Sequence, residues 1–369
     1  MSQTFQTAQT MQKIPKKLLI MAAGTGGHIF PGLAIADIMR ERGWQVTWLG
    51  TRIGMEGQIV PKHDIAMDAI DFSGLRGKGL SHTVSGAFKL IKSFFNCFSI
   101  IGRRQPDVVL GMGGYVTVPG GIMAALRGKP VVLMNADATL LLSNKTLRPF
   151  ASKLLFGLPS ATVSADRKTQ VTGNPIRKEI CEMPVPDHRY TGRTGPLRIL
   201  VVGGSLGAKV LNDAVPQAVA LMSAAARPQI THQSGKQHIA ALRESYANAG
   251  VEAEVLDFID DMPRRYAEAD LVICRAGAIT VSELTAAGVA SILVPFMASS
   301  TSHQKENAQW LANQKAAIHL PQKELTPAVL AEKLQAIDRA QCLAMANTAY
   351  ALGQREASVN IAHILEALA

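Results

Sequence analysis

A chain of 369 residues is too long for one ordinary core and of a length for two domains of roughly 150 residues or more each. The hydrophobic fraction, 47%, is globular, yet no apolar run approaches the ~20 residues that cross a bilayer as a helix, so a helical transmembrane protein is not expected. The net charge of +10 is confined to the first half: residues 1–172 carry 20 Lys+Arg against 9 Asp+Glu, the remainder 18 against 19. A one-sided basic surface suits anionic lipid headgroups or a pyrophosphate, whereas 5% aromatics and no RNA- or DNA-binding module speak against nucleic acid.

In chain order, MSQTFQTAQTMQKIPKK is polar and has no apolar centre, so no export signal is expected and the first dozen or so residues read as loosely ordered. The run KLLIMAAG reads as a buried strand that breaks into the turn AAGTGGHIFPGLAIA (22–36), with Pro31 opening a helix. Glycines of this kind let a backbone approach a phosphate, and the helix behind them offers unpaired N–H groups. Dinucleotide binding fails on detail: Ile29 stands where a third glycine would fall, and the strand QVTWLGT ends in Gly50 and Thr51 with no carboxylate for a ribose. His28 has an intrinsic pKa near ~6.5 and can take a proton at neutral pH; capping the helix or binding pyrophosphate as a cation are the alternatives.

Residues 84–101, VSGAFKLIKSFFNCFSII, place Val84, Phe88, Ile91, Phe95, Phe98 and Ile101 on one helical stripe, with Lys89 and Lys92 interspersed and Arg103 and Arg104 after it. Such a stripe is either core or a face for a membrane surface. The strands DVVLGMG and PVVLMNA follow, the first running into a further glycine turn, GMGGYVTVPGG, that carries Tyr115.

Past a crossover near Gly173, PLRILVVGGSLGA (196–208) echoes KKLLIMAAGTGGH (16–28), and the strands PQITHQSG, EAEVLDFI, DLVICRAG and SILVPF alternate with helical patterns. The fold class is therefore α/β, two Rossmann-like doubly wound domains, 1–172 and 173–349, with helix from about Gln341 to the last residue. GGSLGAKV lacks the Gly-Lys-Ser/Thr ending of a Walker loop. In RAGAITVSELTAAG (275–288) Thr280 and Glu283 fit a capping box, while a carboxylate at Glu283 equally suits two adjacent ribose hydroxyls. Cys97, Cys181, Cys274 and Cys342 lie far apart, without zinc spacing, and read as buried thiols.

Together and in this order, GTGGHIFPGLAIA, SGLRGKG (73–79), GMGGYV, GNPIR (173–177), GGSLGA, FIDDM (258–262) and RAGAITVSEL resemble the MurG family over about residues 16–310. That family comprises the peripheral membrane N-acetylglucosaminyltransferases of bacterial peptidoglycan synthesis. The resemblance implies a GT-B fold, two domains facing across a cleft, with the C-terminal helix (about 350–369) returning to the first domain. It implies inverting transfer of N-acetylglucosamine (GlcNAc) from UDP-GlcNAc to the C4 hydroxyl of undecaprenyl-pyrophosphoryl-N-acetylmuramoyl-pentapeptide. The partners implied are that donor, that lipid-linked acceptor and an anionic membrane surface at the cytoplasmic face of the inner membrane; other cell-wall synthesis proteins are compatible with it.

Carried over by position, Gly204 and Ser205 would hold the UDP diphosphate with Arg177 nearby, the backbone at Phe258 and Ile259 would meet uracil, and Glu283 would take the ribose. His303, Gln304 and Asn307 in SHQKENA would reach the transferred sugar. Thr25, Gly26, Gly27 and the Tyr115 loop would face the acceptor, with His28 as general base. Where many family members read HEQN, this chain reads Met134, Asn135, Ala136, Asp137: Asn135 occupies the usual carboxylate position, and Asp137 is the substitute two residues on. The absence of an Asp-x-Asp triplet fits a site expected to need no metal or other cofactor. The competing readings are another GT-B enzyme, a glycolipid glycosyltransferase or a UDP-GlcNAc epimerase, and a non-catalytic UDP-sugar-binding scaffold.

Overall fold

The structure, a computed structural model, describes residues 14–71, 80–159, 166–204, 206–296 and 303–369, and of residues 80–88 the backbone alone. In the first domain the chain runs β1 (Lys17–Ala22), α1 (Gly26–Glu41), β2 (Gln45–Gly50), α2 (Glu56–Ile59), β3 (Ala66–Ala69) and α3 (Leu80–Arg104). It continues through β4 (Val108–Gly113), α4 (Thr117–Leu126), β5 (Val131–Asn135), α5 (Leu142–Leu147), β6 (Lys153–Phe156) and β7 (Thr169–Val171). The second domain holds α6 (Lys178–Cys181), α7 (Pro186–Tyr190), β8 (Arg198–Val202), α8 (Lys209–Ala220), β9 (Gln229–Gln233), α9 (Ile239–Asn248) and β10 (Glu254–Leu256). It closes with α10 (Met262–Glu268), β11 (Leu271–Cys274), α11 (Ala278–Ala287), β12 (Ala290–Leu293), α12 (His303–Asn313), β13 (Ile318–His319), α13 (Pro327–Gln335), α14 (Arg339–Leu352) and α15 (Ala357–Leu368).

Both sheets are parallel and share one order over six strands, β3-β2-β1-β4-β5-β6 in the first, which adds β7 at its edge, and β10-β9-β8-β11-β12-β13 in the second. Strands buried on both faces need apolar residues at every position, and alternate residues feed opposite cores. Leu18, Ile20 and Ala22 pack under α1, whereas Leu19 and Met21 pack with Cys97 and Ile101 of α3 on the other face. In the second domain Ile199 and Val201 face the α8, α9 and α13 side, and Leu200 faces α10 and α11.

Three local expectations are corrected. Pro31 lies inside α1, which already begins at Gly26 with Thr25 as its extended N-cap. The C-terminal stretch is two helices, α14 and α15, separated at Gly353–Glu356; α15 buries Ile361, Ala362 and Leu365 in the core beneath α1. The stripe on α3 divides: Ile101 is buried, while Ile91, Phe95 and Phe98 are 55%, 72% and 42% exposed, because the helix packs by another face, on which Ser93, Cys97, Ile100 and Ile101 are buried. Val84 and Phe88 lie where only the backbone is described.

Candidate active site

In doubly wound sheets a ligand crevice forms beyond the carboxyl ends of the strands, where the strand order reverses. Here that is between β1 and β4 in one domain and between β8 and β11 in the other. The glycine turns after these four strands are therefore the loops that meet across the cleft. A Cβ built on Gly27 of the first turn would lie 3.9 Å from Ile279 at the start of α11, so the two clusters are in near contact. Neither α1, α8 nor α11 carries an acidic residue of its own in its first turn, so the positive ends of their dipoles can favour an anion.

His28 sits in the first turn of α1. Its Nδ1 lies 3.2 Å from the carbonyl oxygen of Ala23. A carbonyl only accepts, so Nδ1 carries the hydrogen and Nε2 keeps the lone pair of the neutral ring. The ring is seated against β4: a Cβ on Gly113 would come within 2.7 Å of Nε2, and only glycine leaves that room. Burial pushes the His28 pKa below its usual 6.5, opposed by the Ala23 carbonyl and by the charges of Asp137 and Glu56. Burial thus favours the neutral imidazole over the cation, and the bond to Ala23 directs Nδ1 away from capping α1. Tyr115, two residues past Gly113, is half-buried beside the core of the first domain.

Asn135 is corrected as an acceptor contact. It is fully buried, its amide nitrogen donating to the carbonyls of Asp137 (2.8 Å) and Thr139 (2.9 Å), its oxygen accepting from the amide of Leu141 (2.9 Å) and from Asn144 (3.1 Å). An amide with no free hydrogen-bonding capacity shapes the 136–141 loop and does not face the cleft. Asn307 is corrected likewise. Buried at the start of the second domain's α12, it accepts from the backbone of Ala138 (3.1 Å) and donates to the Asp137 carboxylate (2.9 Å) and the Ala276 carbonyl (3.1 Å). It ties the two domains together. Asn174 does the same, donating to the Ala136 carbonyl (3.0 Å) and Ser282 (2.9 Å).

On the donor side Glu283 lies in the second turn of α11, whose N-cap is Gly277, so no Thr280–Glu283 capping box forms. The helix starts too early for it, and the carboxylate turns inward, accepting from Arg177 Nη2 (2.9 Å) and from the Tyr266 hydroxyl (3.1 Å). Burial holds the Tyr266 hydroxyl well above its usual pKa of 10, so it remains a donor. The carboxylate retains acceptor capacity beyond these two bonds. Gly204 is exposed, its carbonyl accepting from Gln233 (3.0 Å); Ser205 and the SGLRGKG stretch lie outside the described residues.

Phe258 is exposed, but its N–H already donates to the Asp257 carboxylate (2.9 Å), and the Ile259 side chain is buried in the core under α10 and α11. Gln304 accepts from the Phe296 backbone (2.9 Å), and half-buried His303 begins α12. Thr25, Gly26 and Gly27 all lie in the turn facing α11. Sequence reasoning missed Tyr266, Asn174 and Glu56. Only Asn174 had a signal, its place in GNPIR.

Two Rossmann sheets meeting at their switch points define the GT-B class of glycosyltransferase architecture. Residues 18–156 match the glycosyltransferase family 28 N-terminal domain, and residues 198–362 the family's C-terminal domain. A relative from Janthinobacterium sp. (strain Marseille), 66% identical over 96% of this chain and 99% of its own, is named UDP-N-acetylglucosamine–N-acetylmuramyl-(pentapeptide) pyrophosphoryl-undecaprenol N-acetylglucosamine transferase. One from Herminiimonas arsenicoxydans, 65% identical with the same coverage, carries the same name. The crystal structure of Acinetobacter baumannii MurG matches with a TM-score of 0.84 at 36% identity, over 96% of this chain and 100% of that one. UDP-GlcNAc 2-epimerase from Neisseria meningitidis, at 12% identity and a TM-score of 0.64, shares the fold alone. The chain belongs to the MurG family.

Proposed function

We propose that this enzyme transfers GlcNAc from UDP-GlcNAc to the C4 hydroxyl of undecaprenyl-pyrophosphoryl-N-acetylmuramoyl-pentapeptide, converting lipid I to lipid II with inversion. The observation that carries the chemistry is the His28 ring, its Nδ1 anchored on Ala23, at the switch point and one residue from Gly27, which lies against Ile279 of α11. The C4 oxygen of the acceptor attacks C1 of GlcNAc, the C1–O bond to the diphosphate breaks with its electron pair leaving on UDP, and the hydroxyl proton passes to His28 Nε2. Asp137, whose charge opposes the lowering of the His28 pKa, favours the imidazolium as it forms. The amides of the Gly204–Ser205 turn, the dipole of α8 and Arg177 receive the developing charge of UDP. Glu283 takes the ribose while Tyr266 and Arg177 fix its carboxylate. His303 and Gln304 meet the donor sugar. Thr25, Gly26, Gly27 and Tyr115 face the acceptor's pyrophosphate and sugar.

The acceptor's lipid brings the first domain to the cytoplasmic face of the inner membrane. Among the described residues no helix is long and apolar enough to cross it. Ile91, Phe95 and Phe98, exposed along α3, with Lys89 and Lys92 beside them and Arg127 stacked 3.7 Å over the Phe98 ring, suit insertion of apolar groups under anionic headgroups. Multiple turnovers by purified protein with UDP-GlcNAc and a short-chain lipid-linked acceptor test the reading. A β1→4 disaccharide product is expected; release of UDP without it, or epimerised donor, overturns it.

A further inference from the structure

Against the first glycine turn lies a buried carboxylate for which the reaction above has no use. Glu56, the first residue of α2, has no exposed surface and, among the described residues, no cation within ion-pair distance. Burying an unpaired carboxylate is expensive unless its oxygens are fully hydrogen-bonded. Here they are met by donors only: Oε2 accepts from the Gly24 N–H (3.1 Å), and Oε1 from both the N–H (2.9 Å) and the hydroxyl (2.6 Å) of Thr51. The Thr51 hydroxyl in turn accepts from the Gly54 amide (3.2 Å).

The surroundings are shaped for the group. A Cβ on Gly50 would come within 2.7 Å of Glu56 Cγ, and one on Gly54 would overlap the carboxylate itself. Two side chains are thus omitted from the segment GTRIGMEG to admit one charge. That charge reaches forward in two ways. It holds Gly24, the residue that turns the chain from β1 into the Gly26–His28 segment, by its N–H, and it lies near enough to His28 to oppose the lowering of that ring's pKa.

We propose that Glu56 is a positioning residue for transfer, fixing the Gly24–His28 turn by its backbone and keeping a negative charge behind His28. The inference rests on the reading of His28 as the base. A neutral amide cannot replace the carboxylate, because its NH₂ would confront the Gly24 amide or the two Thr51 donors. The charged groups facing His28 are Glu56 from α2 and Asp137 from the β5–α5 loop, so the contribution of Glu56 is separable by leaving Asp137 intact.

The test compares wild type, Glu56→Gln and Thr51→Val in the transfer assay, with thermal unfolding and UDP affinity measured alongside. Glu56→Gln is expected to lower kcat by about 10- to 100-fold, with donor KM and UDP affinity changed less than about threefold, since the second domain is untouched. It is also expected to move the acid limb of kcat/KM to lower pH, because removing the negative charge lowers the His28 pKa further. Thr51→Val, which removes one donor and no charge, is expected to lower kcat severalfold and leave the acid limb in place. Folded Glu56→Gln with wild-type kcat, or with an unmoved acid limb, overturns the proposal; so does loss of activity that only follows loss of UDP binding and thermal stability. If Glu56→Gln does not fold, wild-type kcat in Thr51→Val overturns it. An inactive wild type would overturn the transferase reading instead.

Discussion

His28 and Glu283 show how residue type and residue setting share the outcome. The histidine was legible because it stands in a glycine turn after a strand, but its protonation state was not: that follows from burial and from the Ala23 carbonyl, which only the folded chain brings together. Its pKa being lowered, the base stays neutral and competent below 6.5, so the acid limb of kcat/KM should fall below that value; a limb above it would contradict the assignment. For Glu283 the spacing Thr280–Glu283 suggested a cap, whereas Arg177 and Tyr266, 106 and 17 residues away in sequence, decide where the carboxylate points. Glu283→Gln should raise donor KM by about 10-fold or more with a smaller loss in kcat, read from initial rates; an unchanged donor KM would remove Glu283 from the ribose site. His232, buried against Tyr246, has its pKa pushed down to about 3, so its contribution to stability is complete above pH 6.5 and is lost as pH falls toward about 3. His232→Gln should flatten that part of the stability-against-pH curve in urea unfolding.

At the scale of elements, most strands were readable, the four-residue β11 and β12 among them, whereas β3, β6, β7 and β13 were not. KLLIMAAG, DVVLGMG, PVVLMNA, LRILVVGG and DLVICRAG are continuous apolar runs because sheets covered on both faces demand them. The strands β3, β6, β7 and β13 have four residues or fewer and include AMDA and TQV, so pairing with a longer neighbour, not local pattern, makes them strands. The helix α3 is an intermediate case: its period was legible, but which face would be buried was not, and it is the face of Ser93, Cys97, Ile100 and Ile101 that packs inward. Its exposed face carries a testable consequence. Binding to anionic vesicles should weaken as salt rises and weaken further with Lys89→Glu/Lys92→Glu, measured by co-sedimentation; salt-independent binding, or none, would contradict the membrane role of this face.

For the whole molecule, the echo between the two glycine turns foretold two sheets of one topology, and the structure gives both the same order over six strands. What the sequence could not convey is how the halves are joined. Asn307 reads from the sequence as a contact of the transferred sugar and Asn174 as one member of GNPIR, yet both are buried bridges between domains. Asn307→Ala should cost about 1–3 kcal/mol for each buried group left unpaired, seen as a lower urea midpoint, and should raise hydrogen exchange at the Ala138 amide; unchanged values would mean the bridge carries no load. The joined halves place the first-domain turn that carries His28 against α11 of the second domain. The most direct measurement is the turnover of His28→Ala at saturating donor and acceptor: a loss of about 10²-fold or more with donor KM changed less than about threefold is expected, whereas wild-type turnover would contradict the account.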